Sequence, residues 1–252
     1  MSIVKNIAAF KNWPFFYAGR YGFLRSEFEM IHRSGIRIKV RPHTDDLKIV
    51  KSNFVTMHYI RDFVPITKGS IVVDVGAHIG SFSLIAAKSA DRVLAFEPEP
   101  SNCEMLKKNV ELNDLKNVKI FEMAVSGSSG YQELYAFENG STGTHFLCKE
   151  DSTDLPHRMK KKVPTISLED IIKREGLSQI DFLKLDCEGA EHDILRGMSL
   201  DTAAKIKGIA METHRVPPEF SLDIPARLRE IGFEVRTEHL GGYVYARRIL
   251  GK

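Results

Sequence analysis

From residue 70 onward the chain alternates between short apolar runs of strand length and longer stretches with helical spacing. "SIVVDV" and "RVLAFE" are β-branched or aromatic runs, and "SFSLIAAKSA" between them predicts a helix, which makes a βαβ unit. "SNCEMLKKNVEL" predicts a second helix, with Ser101 and Glu104 spaced as a capping box, and "VKIFEMAV" predicts a third strand. "YQELYAF" and "THFLCK", separated by Gly140 and Gly143, predict a hairpin inserted near residues 131–148. The alternation then resumes. "VPTISLEDIIKREG" predicts a short strand and a helix ending at Gly176, "IDFLKLD" a fourth parallel strand, "AEHDILRG" a helix stopped by Gly197, and "KIKGIAMET" a fifth strand. "PARLREIG" predicts a helix with Pro225 near its start and Gly232 after its end. "FEVRT" and "YVYARR", around Gly241-Gly242, predict a C-terminal antiparallel hairpin.

Residues 1–69 follow a different pattern. Eight of the chain's 23 aromatics lie between Phe10 and Phe28. "IRIKVRP" alternates as a strand, with Ile36, Ile38 and Val40 on one face, and "LKIVKSNFVTMHYIRDFV" predicts a helix closing at Pro65. The economical reading is an N-terminal α/β appendage, residues 1–69, followed by one doubly wound domain, residues 70–252, with a mostly parallel sheet. The appendage is read as a lid, as an interface with a second subunit (a homodimer), or as plain packing on the domain.

Composition narrows the setting. The chain has 252 residues, 43% of them hydrophobic, enough for one full α/β core. No apolar run approaches the ~18 residues of a membrane-spanning helix, and no signal-peptide pattern opens the sequence. Cys103, Cys148 and Cys187 are far apart with no CxxC pair, which argues against a disulfide framework or structural zinc and points to the cytoplasm. The net charge of +3 divides into +7 over residues 1–69 and −4 over the remainder. A basic front end can steer an anionic partner, or it can be ordinary surface drift.

The chemistry is concentrated in "IVVDVGAHIGSFSLIAA", where Asp74, Gly76, His78 and Gly80 join a strand to a helix. Glycines let the turn adopt positive φ and let a ligand approach the main chain, and the helix start offers free N–H groups. Glu97 ends the next strand, seventeen positions past Gly80, where a ribose diol would be held. The dinucleotide fingerprint GxGxxG and the phosphate loop GxxxxGK[ST] are both absent. An acid before the first glycine suits a ligand with no phosphate, an ammonium-bearing amino-acid end and a ribose, and S-adenosylmethionine meets each requirement. The plainer alternative is a tight strand-to-helix turn without a ligand.

"VVDVGAHIGSFSLIAAKSADRVLAFEPEPSNCEMLKKNVELN" resembles motifs I and II of class I S-adenosylmethionine-dependent methyltransferases. "VPTISLEDII" with "IDFLKLDCEGAEHDILRG", and the earlier "RPHTDDLKIV", resemble the FkbM family of that superfamily over about residues 36 to 247. The resemblance implies a Rossmann-like seven-stranded sheet with a reversed last strand. It places Asp74, Gly76, His78 and Gly80 around the methionine moiety, Glu97 at the ribose, and Ala124 and Val125 at the adenine, with Ala77 and Pro98 also bordering the cofactor; the alternative for His78 is a histidine that only caps or packs at the turn. It also implies O-methylation of a sugar or other small-molecule hydroxyl.

Asp186 ends the fourth strand at the crevice edge, and with Glu188 it is read as positioning the acceptor or removing its proton; Asp186 also borders the cofactor. His214, after the fifth strand in "METHR", is a second candidate base, or a solvated loop histidine. Lys184 is odd in a central strand and is expected either to pair with an acid or to reach the strand end. Glu191 and Asp193 are read as acids favoured by a helix N-terminus. Asp186, Glu188, Glu212 and His214 could converge on a divalent ion, but their spacing does not require it, and no metal site is assigned. "DCEG" stands where many nitrogen methyltransferases carry [ND]PP[YFW], which argues against that chemistry. The Arg158 to Lys162 run is read as a solvated loop or a site for an anionic acceptor. Two other readings stay open. One is an RNA methyltransferase, disfavoured by the modest charge and by the lack of a recognisable RNA-binding pattern; the other is a non-catalytic cofactor-binding scaffold.

Overall fold

The computed structural model describes residues 3–137, 145–148, 158–238 and 242–249. Helices α1 (Ile3–Ala9) and α2 (Trp13–Arg20) precede the hairpin β1 (Phe28–Ile31) and β2 (Arg37–Val40), and α3 (Asp46–Lys51) follows. Then come β3 (Ile71–Val75), α4 (Ser81–Ala86), β4 (Arg92–Phe96), α5 (Pro100–Leu112) and β5 (Val118–Phe121). Strands β6 (Ala124–Val125), β7 (Gly130–Phe137), β8 (His145–Cys148) and β9 (Arg158–Ile166) precede α6 (Leu168–Glu175). The chain ends with β10 (Phe182–Leu185), α7 (Ala190–Gly197), α8 (Leu200–Ala204), β11 (Gly208–Glu212), α9 (Ile224–Glu230), β12 (Phe233–Glu238) and β13 (Tyr243–Arg248).

The main sheet has seven strands in the order β12-β13-β11-β10-β3-β4-β5. Strands β11, β10, β3, β4 and β5 pair in parallel, and β13 runs antiparallel to both β11 and β12. The chain starts this sheet at β3, builds β4 and β5 on one side, and then returns to lay β10 and β11 on the other. That reversal opens a crevice at the carboxyl ends of β3 and β10, the expected ligand position in such a sheet. The expected doubly wound sheet with its C-terminal antiparallel hairpin is therefore present.

Several boundaries differ from the sequence expectation. The helix expected from Leu47 to Pro65 stops at Lys51 and passes through a π turn, Ser52–Thr56, that ends at Met57 with φ 53°. The Asn53 side chain is drawn away to Ser81 Oγ (2.7 Å), and Tyr59, Phe63 and Val64 then pack beneath the sheet. The third strand splits. Val118–Phe121 stays in the main sheet, and Ala124–Val125 crosses to a second sheet, β6-β9-β7-β8. Ser101 and Glu104 do not form a capping box, because Pro100 already occupies the first turn. Ser101 instead accepts from Arg41 (3.3 Å), and Glu104 pairs with Lys108 (2.9 Å). Arg158–Lys162 belongs to the nine-residue strand β9, paired with β7, and its Lys161 and Lys162 are exposed. The side chains of Arg158 and Lys160, the tip of the expected insert around Gly140 and Gly143, and Gly241 lie outside the described residues.

Residues 1–69 share a core with the sheet layer. Phe10, Met30, Ile38 and Val50 are fully buried with Ile79, Leu84 and Leu106 of the βαβ unit. Each such side chain contributes ~1.5–3 kcal/mol by leaving water, so this segment is anchored by packing. Among the described residues no helix is long and apolar enough to cross a membrane.

Candidate active site

The crevice is an open cleft with about 720 Å³ of empty space, part of it continuous with solvent. Gly76, Ala77 and His78 form one wall, Glu97 and Pro98 a second, and Ala124 and Val125 a third, with Asp186 and Glu188 at the β10 end. Gly76 has φ 73°, and a Cβ there would run into the Asp186 carbonyl, so only glycine lets the two strand ends approach this closely. Asp74 and Gly80 do not line the crevice. Asp74 is fully buried behind it, accepting from Ser83 Oγ (2.6 Å) and Lys184 Nζ (3.0 Å). Gly80, at φ 88°, caps α4 against Leu106.

Glu97 is 5% exposed. One carboxylate oxygen accepts the His78 N–H (2.8 Å), and the other accepts the Glu99 N–H (3.0 Å) and the Asn102 amide (3.3 Å). Burial outweighs these donors and pushes its pKa up to about 7. Lys184 is as buried as a core residue and donates to Asp74 and to the Val75 and Gly76 carbonyls, with Asp186 at 3.7 Å. Burial opposes its charge, but the Asp74 and Asp186 carboxylates raise its pKa above the ordinary lysine value. The odd lysine thus does both expected things: it pairs with an acid and reaches the strand end.

The β10 and β11 ends carry a second, more highly charged cluster. His214 Nε2 lies 3.7 Å from Glu188 and 3.9 Å from Asp186, and its Nδ1 is 3.0 Å from Glu191. Burial alone would lower the His214 pKa; the hydrogen bond and charge of Glu191, then Glu188 and Asp186, raise it to about 9. Glu188 has φ 52°, a strained backbone for a non-glycine residue, and burial followed by the neighbouring carboxylates raises its pKa to about 7 against the pull of His214. Glu212 accepts the Tyr59 (3.2 Å) and Tyr243 (2.9 Å) hydroxyls. Asp186, Glu212 and His214 offer ligand atoms within 4.8 Å of one another.

Sequence reasoning missed several residues of this arrangement. Glu191 does accept the Gly189 N–H at the start of α7 (2.9 Å), but its other oxygen holds both the His214 N–H (2.7 Å) and the His214 ring. Asp193 reaches Ser126 and Gly127 at the β6 turn. His192 accepts the Leu222 N–H (3.1 Å) and lies 3.1 Å from the His214 carbonyl. Asn53, Asn102, Tyr59 and Tyr243 are separated by up to 190 positions, so no local spacing marked them.

A parallel sheet with a reversed last strand, and a crevice between a glycine turn and an acid at the next strand tip, define the class I methyltransferase architecture. The Methyltransferase FkbM domain model matches residues 74–235, and the chain belongs to this family of methyltransferases. It is 29% identical to methyltransferase sdnD of Sordaria araneosa, over 70% of this chain and 78% of that one. It is 26% identical to 31-O-demethyl-FK506 methyltransferase FkbM of Streptomyces tacrolimicus, over 73% and 80%. The crystal structure of methyltransferase FkbM from Methylobacillus flagellatus KT superimposes with a TM-score of 0.46 at 16% identity, covering 79% of this chain and 53% of that one.

Proposed function

We propose that this methyltransferase uses S-adenosylmethionine to methylate a hydroxyl of a small molecule. The cofactor, when bound, supplies an electrophilic methyl group on a sulfonium. The residues present fit it: Glu97 is a buried carboxylate at the end of β4, and Phe96, Ala124, Val125 and Leu134 give the apolar wall that a purine needs. Gly76, Ala77 and His78 supply the turn for the amino-acid end.

The observation that carries the reading is Glu188. It stands at the crevice rim in a strained backbone, with a carboxyl pKa of about 7 and the His214 ring 3.7 Å away. A base poised near neutral pH is what an alcohol needs as its oxygen attacks. With the cofactor bound, Glu188 would take the hydroxyl proton as the O–H bond breaks and the new O–C bond forms, the methyl–sulfur bond breaking in the same step to leave neutral S-adenosylhomocysteine. His214, held by Glu191 and protonated below about pH 9, offsets part of the negative charge of Glu188 and Asp186. Asp186 borders both halves of the crevice and positions the acceptor. The Streptomyces relative, a 31-O-demethyl-FK506 methyltransferase, supports an oxygen acceptor.

The test is S-adenosylhomocysteine formation with a panel of sugar and polyketide alcohols, amines and RNA. Turnover with an alcohol is expected. Turnover only with amines or RNA, or none with cofactor bound, would remove the hydroxyl reading.

A further inference from the structure

The buried Arg41–Asp46 pair lies on the N-terminal side of the fold, yet it connects to both oxygens of Glu97. Asp46 has no exposed surface, and its carboxylate accepts the Arg41 N–H (2.8 Å), Nε (2.9 Å) and Nη2 (2.8 Å). The same Nη2 donates to Asn102 Oδ1 (2.7 Å). Asn102, 1% exposed, turns its amide nitrogen onto one Glu97 oxygen (3.3 Å). On the other side, Asp46 lies 3.6 Å from His78 Nε2, and the His78 N–H donates to the second Glu97 oxygen (2.8 Å). The two routes close a ring running Asp46, Arg41, Asn102, Glu97, His78 and back to Asp46.

The ring has a physical consequence. An asparagine amide has one accepting and one donating end, and only the donating end can face a carboxylate. The guanidinium, which can only donate, holds the accepting end, so Asn102 cannot flip. A buried carboxylate without fixed donors is expensive and turns toward whatever donor is nearest. His78 itself sits at φ 53°, a strained turn that its surroundings must hold in place.

We propose that Arg41 and Asp46 are positioning residues for the cofactor, aiming the Glu97 carboxylate at the ribose hydroxyls from 56 and 51 residues upstream in sequence. This rests on the reading of Glu97 as the ribose ligand. The N-terminal segment is then part of the cofactor site even where it does not touch the cofactor.

The experiment is calorimetric titration of the full chain with S-adenosylhomocysteine from pH 6 to 9. It uses wild type, Arg41→Gln, Glu97→Gln and the double variant, each checked by thermal melting. The titratable or charged groups facing Glu97 are His78, Glu99 and Cys103, with Arg41 and Asp46 behind them. Arg41→Gln should weaken binding about tenfold and move the acid limb of the affinity profile to higher pH, because the carboxylate loses its cation-backed donor. In the Glu97→Gln background the same change should matter less than about twofold, the mark of two residues acting through one contact. Equal losses in both backgrounds with an unmoved pH limb would overturn the proposal. If Glu97→Gln alone leaves binding intact, the site reading itself fails, a different and recognisable result. Should Arg41→Gln not fold, Arg41→Lys keeps Asp46 paired but cannot pin Asn102 as a fork does. It should weaken binding about threefold only when Glu97 is present, and an unchanged affinity there counts against the proposal.

Discussion

The two ends of the crevice solve the problem of burying carboxylates in opposite ways. At the β4 end, Glu97 is surrounded by neutral donors: two backbone N–H groups and an amide. At the β10 and β11 ends, Asp186, Glu188, Glu191 and Glu212 gather around His214, with Lys184 behind. Neutral donors fix direction and leave little room for change, which suits holding a constant group such as a ribose. A set of mutually charged groups shifts protons when one member changes, which suits chemistry on an acceptor. Both Glu97 and Glu188 titrate at about 7, but burial dominates the first with little nearby charge, and the second adds repulsion from three carboxylates.

The largest effect that separates the ends is expected at Glu188. Glu188→Gln removes the proposed proton acceptor and should lower kcat by about 10²–10⁴, the usual share of a general base, while S-adenosylhomocysteine affinity changes less than about twofold. Wild-type kcat should rise with pH through about 7 as Glu188 ionises, and fall above about 9 as His214 loses its proton. The variant should lose the acid limb alone. A retained acid limb would assign the base elsewhere.

Lys184 joins the two ends, and breaking it should show in stability. Lys184→Met leaves Asp74 buried without its cation, which costs about 3–5 kcal/mol. Urea unfolding should give a lower midpoint with an unchanged slope.

How much of this was legible in the sequence follows the same division. The β4 end was readable because Asp74, Gly76, Gly80 and Glu97 sit within one βαβ unit, where local spacing fixes geometry. Even there, spacing marked Asp74 and Gly80 without showing what each touches: Asp74 holds Lys184, and Gly80 makes room for Leu106. At the other end Asp186 and Glu188 were visible at the strand tip. Glu191 looked like an ordinary acid of a first helical turn, because its grip on His214 spans 23 residues of chain. The main sheet was legible because its strands are continuous apolar runs. The segment after Lys51 was not, because periodicity cannot see Asn53 turning to Ser81 and drawing the chain into a π turn.

Glu97 sharpens the comparison through the pH dependence of folding. Its carboxyl releases a proton near 7 when folded and near 4.5 when unfolded, so the folded state favours the protonated form. That advantage is complete below about pH 4.5 and is lost as pH rises to 7, amounting to roughly 3 kcal/mol. Glu97→Gln removes this dependence. Its stability relative to wild type should therefore improve by about 3 kcal/mol between pH 4.5 and 8, even as cofactor affinity falls. Parallel urea series at the two pH values measure it; a constant difference would mean that folding leaves the Glu97 pKa unshifted.

The smallest effect is expected at Tyr243, and it tests whether the acceptor end is as separate as its charges suggest. The Tyr243 hydroxyl donates to Glu212, and the Tyr59 hydroxyl donates to the same oxygen. Tyr243→Phe leaves that second donor in place, so Glu212 keeps one of its two bonds and the loss is about 1 kcal/mol. The expected result is a decrease of about fivefold in kcat/KM for the acceptor, with S-adenosylhomocysteine affinity unchanged. The ring still stacks on His58 at 4.5 Å, so packing survives and the hydroxyl alone is removed. If cofactor affinity fell in step with acceptor turnover, the hydrogen bonds around Glu212 would reach the glycine turn, and the two ends would have to be treated as one electrostatic unit joined through Asp186 and Lys184.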